Sequence, residues 1–210
     1  MFWKKDPTVS WERKNINDID FSHFNVAIIG GTGGLGRAIS RELAQRNARV
    51  TVVGQTFRDE DLKDNINFVK ADLSLVSECK RISHSDEIPY EELTHLIFTT
   101  GIFASRQRQA TSEGLEKDMA DAKDRYTNID TFGLNPGLIK TNIRNNLLGS
   151  DTYLSRITEW IISWTCQSAE TYAKTICTLI ASPAIESRSG TMFSNKGDAI
   201  LPSPGLTKDV

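Results

Sequence analysis

At 210 residues the chain is long enough for one domain with a substantial core and too short for two full ones. A formal net charge of −2, from 25 basic and 27 acidic residues, gives no electrostatic footing for nucleic acid or an anionic membrane surface. Hydrophobic content of 39% and charged content of 25% are those of a globular protein rather than a disordered or membrane-embedded one.

Residues 1–24 read as a polar extension with scattered aromatics, either set along the edge of a single domain spanning 25–210 or partly mobile. They lack the uninterrupted apolar run of a secretory signal, and no stretch approaches the ~20 apolar residues of a membrane span. Cys79, Cys166 and Cys177 are odd in number, with no Cys-x-x-Cys spacing, which suits reduced thiols in the cytoplasm. Val26 to Ile29 is a continuous apolar run, the pattern of a strand buried on both faces of a parallel sheet. It ends in a turn holding Gly30, Gly31, Gly33, Gly34 and Gly36, and a helix follows from Arg37 to Asn47 with Ile39 and Leu43 on one face. Glycines at a strand-to-helix turn let backbone approach a pyrophosphate, and the free N–H groups of the first helical turn face its charge.

Arg49 to Val53 predicts a second strand, Asp59 to Asp64 a charged turn, and Ile66 to Ala71 a third strand. Asp72, Leu73 and Ser74 open the next helix, with Asp72 as its cap, and Leu93 to Thr99 is a fourth strand. A helix from Thr111 carries Leu115, Met119 and Ala122 on its apolar face, and Ile129 to Leu134 is a strand closing on Asn135-Pro136-Gly137. Leu154, Ile157, Trp160, Ile161 and Trp164 recur at helical spacing, Ala169 to Ser182 is a further helix, and Gly190 to Phe193 a last strand. Strand and helix alternating at this pace argue an α/β fold with a doubly wound, Rossmann-like parallel sheet.

Two glycine registers overlap in the first turn. Gly31, Gly33 and Gly36 satisfy G-x-G-x-x-G, while Gly30, Gly34 and Gly36 satisfy G-x-x-x-G-x-G. A P-loop is excluded at Arg37 and Ala38, where Lys and Ser/Thr are needed for phosphate and magnesium. The second register, with Leu35 between its last two glycines, resembles the short-chain dehydrogenase/reductase family, with Ile29 where that family usually has Thr. Further likenesses follow in order. Asp72-Leu73 resembles the family's pair whose carboxylate receives the adenine amino group. Thr99-Thr100-Gly101-Ile102 stands where the family has Asn-Ala-Gly-Ile, and Asn135 to Thr141 (NPGLIKT) is a close match. Ser168 to Pro183 and Ser189 to Phe193 resemble the retinol-dehydrogenase-like branch.

The resemblance implies a dinucleotide, NAD or NADP, held by Gly30, Gly31, Thr32, Gly34, Leu35, Gly36, Asp72, Leu73, Gly101, Pro136, Gly137 and Thr141. Pro136 and Gly137 would shape the turn beside the nicotinamide, and Thr141 would bond its carboxamide. Gly54 and Gln55 offer neither acid nor base at the end of the second strand, and Gly33 carries no cation, so the reading leans to NAD. Arg37 and Arg58 are the candidate partners of a 2′-phosphate. A full-length relative would act on a small carbonyl or alcohol.

That family's chemistry needs a Tyr with a Lys four residues later, the cation lowering the phenol's pKa for proton transfer. Four residues after Tyr90, Tyr126, Tyr153 and Tyr172 stand Thr94, Asp130, Ile157 and Ile176, so no catalytic residue is assigned. Between Gly101 and Pro136 the chain has one helix's worth of residues where the family has a helix, a strand and the Tyr/Lys helix. An internal deletion joined near Ala120 and Asp121 accounts for both, and it contracts the sheet. His23, His84 and His95 have no metal-ligand spacing, and no G-x-S-x-G is present. The reading is an oxidoreductase of short-chain type whose catalysis is impaired; the alternative is a non-catalytic dinucleotide-binding or regulatory protein.

Overall fold

Four apolar segments form one parallel sheet: β1 (Asn25–Ile29), β2 (Arg49–Gly54), β3 (Ile66–Lys70) and β4 (His95–Phe98). Their order is β3-β2-β1-β4, with Ile28 opposite Val52 on one side and Ile97 on the other. The computed structural model describes residues 4–100, 130–137, 139–140 and 167–201.

Side chains alternate across this sheet into two cores. Val26, Ile28, Val50, Val52 and Ile97 pack against Ile39 and Leu43 of α1 (Gly34–Ala44) and Tyr172 and Ile176 of α3 (Ala169–Ile180). Ala27, Ile29, Val53 and Val69 face the other way, toward Ile82 of α2 (Val76–Ser83) and Ile88. Helices on both faces explain why β1 is apolar at every position after Asn25, as the doubly wound reading requires.

Several boundaries differ from the sequence reading, each for a local reason. α1 opens at Gly34 rather than Arg37, because glycines are invisible to apolar periodicity although their backbone is already helical. Its end is closed by Asn47, left-handed at φ 66°, with Ala48 N–H donating to Leu43 O and Asn47 N–H to Ala44 O. Asp72 is not the cap of α2: that position falls at Leu75, and the Asp72 carboxylate instead closes a turn on Ser74. α3 stops at Ile180, short of Ser182 and Pro183.

The largest difference lies beyond β4. Where Ile129 to Leu134 predicts a strand, only β5 (Gly133–Leu134) is paired, and its neighbour is β8 (Met192–Phe193) rather than β4. Two further short pairings escaped the sequence reading. β6 (Ile139–Lys140) lies parallel to β7 (Gln167–Ser168), and β9 (Ala199–Ile200) runs antiparallel to β8. The contraction therefore ends the main sheet at β4 among the described residues. The predicted helix from Thr111 and the apolar stripe from Leu154 to Trp164 lie outside them.

The segment ahead of β1 contributes Phe21 and Phe24 to the larger core. Trp11 Nε1 donates to Gly197 O at 2.7 Å, and Asp6 N–H donates to Ala199 O at 2.9 Å, so this segment straps the C-terminal strands.

Candidate functional site

The turn after β1 is shaped by two glycines for different reasons. Gly30 sits at φ 89°, a conformation L side chains avoid, and its N–H donates to Val53 O at 2.9 Å. Gly36, in the first turn of α1, has no room for a side chain: a Cβ there would stand 2.6 Å from Gly30 O and closer still to Thr99 Oγ1. Thr99 is itself fixed, its Oγ1 donating to Ile29 O at 3.1 Å. The result is a close-packed turn whose helix begins with uncommitted backbone donors, the cradle a diphosphate needs.

Beside it lies an open cleft of about 270 Å³ at the carboxyl ends of β1, β2 and β3. Gly30 and Thr32 line one wall, Gly54 to Thr56 with Arg58 another, and Ala71 to Ser74 the third. Asp72 Oδ1 accepts from Ser74 N–H at 3.0 Å and Ser74 Oγ at 2.7 Å, which orients the carboxylate at the cleft wall. Of the residues expected to hold a dinucleotide, Gly30, Thr32, Asp72 and Leu73 share this cleft, while Gly31, Gly34, Leu35 and Gly36 build the turn and helix start behind it. Pro136 and Gly137 follow β5 in a turn where Gly137 N–H donates to Asn135 Oδ1 at 3.0 Å. Neither lines the cleft. Gly101 and Thr141 lie outside the described residues.

One ion-pair cluster was missed by the sequence reading, which took Asp59 for a turn residue and Arg37 for a candidate phosphate partner. Asp59 is buried, receiving Arg37 Nη2 at 2.7 Å and Arg41 Nη1 at 2.6 Å, and Arg41 also reaches Asp61 at 2.7 Å. Burial pushes the Asp59 carboxyl up, but the hydrogen bonds from Arg37 and Arg41 outweigh it and leave the group below its usual value. The cluster ties α1 to the β2–β3 connection and commits Arg37 to a carboxylate. Its signal was legible: two arginines one helical turn apart, with an acid cluster after the next strand. Arg58 is exposed and lines the cleft.

No described tyrosine is placed for proton transfer at the cleft. Tyr90 Oη donates to Ile82 O at 3.3 Å, and Tyr172 is wholly buried in the larger core. Desolvation raises the pKa of both, the opposite of what a proton-transferring phenol requires.

A family model described as short chain dehydrogenase matches residues 25–124. An uncharacterized oxidoreductase of Saccharomyces cerevisiae is 74% identical over 282 positions, covering 100% of this chain and 91% of the relative. With 210 residues spread over 282 positions, about 74% is also the highest identity attainable, so the two agree at essentially every residue this chain has. The remaining 72 positions are internal and face no residue here, as the expected deletion requires. Aldohexose dehydrogenase of Thermoplasma acidophilum has the same fold, at a TM-score of 0.55 and 14% identity, over 83% of this chain and 93% of that one. So does a short-chain glucose/ribitol dehydrogenase of Brucella melitensis, at a TM-score of 0.52 and 16% identity, over 83% and 96%. Among the described residues no helix is long and apolar enough to cross a membrane. Glycine turn, doubly wound sheet and sequence match agree, and the chain belongs to the short-chain dehydrogenase family.

Proposed function

We propose that this chain binds a nicotinamide dinucleotide in the cleft above β1 to β3 and does not itself turn over carbonyl or alcohol substrates. The observation that carries the binding half is the Gly30–Gly36 turn, where a single Cβ at Gly36 would fill the space against Thr99 and Gly30. In this reading Gly31 to Gly36 receive the pyrophosphate, with Thr32 and Leu35 flanking it. Asp72 and Leu73 meet the adenine, and Gly101, Pro136, Gly137 and Thr141 surround the nicotinamide. Bound dinucleotide would supply or accept the hydride; the chain's own residues bind and orient it. Residues 25–210 serve as one dinucleotide-binding domain with residues 1–24 as its extension, in a reducing, cytoplasmic setting.

NAD(H) is the preferred form in this proposal. Arg37, one of two cations near enough in sequence to meet a 2′-phosphate, is held by Asp59. Arg58 at the cleft is the residue on which the preference turns. The catalytic half of the proposal rests on the 72 unmatched positions and on the absence of any Tyr-x-x-x-Lys in the sequence. The same two observations suit the alternative, a non-catalytic dinucleotide-binding or regulatory protein. Titrating NADH and NADPH against protein fluorescence tests the reading. Wild type should saturate and Gly34→Val should bind at least tenfold more weakly; equal signals would sink the binding claim.

A further inference from the structure

The second core stops one strand short. On its side of the sheet Ala27, Ile29, Val53 and Val69 are buried, but on β4 the two residues with that orientation, Leu96 and Phe98, are 44% and 66% exposed. Ile97 between them points into the larger core and is 8% exposed. β4 pairs with β1 on one side, and among the described residues no strand pairs with its other side. An isolated exposed leucine is ordinary, but two neighbouring apolar side chains on an unpaired edge strand are a surface that folded proteins cover.

The yeast relative offers the cover. It has 72 internal positions that this chain lacks, and it agrees with this chain at essentially every other residue, β4 included. That length suffices for a strand of about 5–6 residues with a helix of about 11–12 on either side, connections included. One parallel strand with crossover helices is what would extend β4 and roof Leu96 and Phe98.

We propose that the free edge and exposed face of β4 are a docking site for a separate polypeptide carrying those missing positions, so that the fold can be completed in trans. A second copy of this chain fits less well. Paired edge to edge by two-fold symmetry through the same four residues, it would add an antiparallel strand to a sheet that is parallel throughout its described strands.

The test is co-expression of the full chain with a tagged polypeptide of the yeast relative's 72 positions, without cofactor, so that its outcome is independent of dinucleotide binding. A one-to-one complex should elute, with the amides of His95 to Phe98 gaining protection from hydrogen exchange. Leu96→Asp with Phe98→Asp should reduce capture at least tenfold while leaving thermal unfolding unchanged, since both side chains are exposed. If that variant unfolds, exchange protection in the wild type decides alone. No complex, a complex without protection at β4, equal capture by the folded variant, or a homodimer that the variant abolishes would each overturn the proposal.

Discussion

The sheet built from residues 25–98 and the strand pairs built from residues 133–200 are held together in different ways. In the first region each strand meets its neighbour over four or five residues, and apolar side chains bury on both faces. In the second, every pairing spans two residues. What anchors the second region is contact with the first: α3 packs against α1 in the larger core, and the N-terminal strap reaches Gly197 and Ala199. A parallel sheet assembled through successive local crossovers forms as far as β4 without the missing segment, and among the described residues it leaves the outer edge of β4 unpaired. The later strands are left with two-residue pairings among themselves, and the region docks through α3.

The strongest way to break this contrast is to restore the segment. Inserting the 72 unmatched positions of the yeast relative between Ala120 and Asp121 should join the two regions and supply the proton-transfer machinery. NADH oxidation with small aldehydes should then rise by ~10²–10⁴-fold, the usual contribution of positioned proton transfer. Comparable turnover by the short chain would mean that a residue outside the expected pair has taken the acid role.

Within the first region Gly36→Val should have the next largest effect. The added Cβ meets backbone at 2.6 Å on one side and Thr99 on the other, so the turn must open. Overpacking of this kind costs about 1–3 kcal/mol, and dinucleotide affinity should fall more than tenfold. Chemical denaturation and fluorescence titration on the same sample separate the two losses.

Asp59→Ala is a finer probe, because it acts on stability and selectivity together. The carboxylate is buried while Arg37 and Arg41 keep 39% and 28% of their side chains exposed, so the pairs are partly screened. A loss of about 1–2 kcal/mol is expected, between the values for exposed and buried pairs. Freed from Asp59, Arg37 becomes available to a 2′-phosphate. Relative affinity for NADPH over NADH should therefore rise several-fold, and an unchanged ratio would place Arg37 out of reach.

Sequence resolved the two regions unequally, and the reason is the range over which each is determined. β1, the glycine turn and β2 are written in continuous apolar runs and turn residues, so their existence and order could be read directly. The cleft was legible where it is local, at Gly30, Thr32 and Asp72, which the structure brings together, and less so where contacts depend on tertiary partners. Arg37 reads as a candidate phosphate partner until Asp59 comes beside it. Phe21 and Phe24 looked like parts of an edge segment, yet they fill the core, because polar neighbours mask an aromatic pair that only folding brings inside. The short pairings of β6, β7 and β9 carry no periodicity at all. Two residues cannot display a period of two.

The smallest effect concerns pH and again contrasts the ends of the sheet. His95 opens β4 with its ring stacked on Phe24, centroids 4.8 Å apart, and its Nδ1 is 3.0 Å from Thr94 Oγ1. Burial disfavours the imidazolium and lowers the pKa from its ordinary 6.5; a backbone hydrogen bond with Ile180 works against this, and nearby His23 adds to the lowering. Because the folded pKa lies below the unfolded one, the unfolded chain binds the proton more readily in that window. Stability is then full above pH 6.5 and declines as pH falls from there through the folded value. Asp59 titrates in the same sense but lower, its folded pKa being held below the usual carboxylate value by Arg37 and Arg41, so its contribution is lost only in more acidic solution. Denaturant midpoints measured from pH 7.5 to 5 should fall on acidification, and His95→Gln should flatten the curve in that range while leaving the acid limb intact. An identical slope in the variant would assign the pH dependence to groups other than the one at the open edge of the sheet.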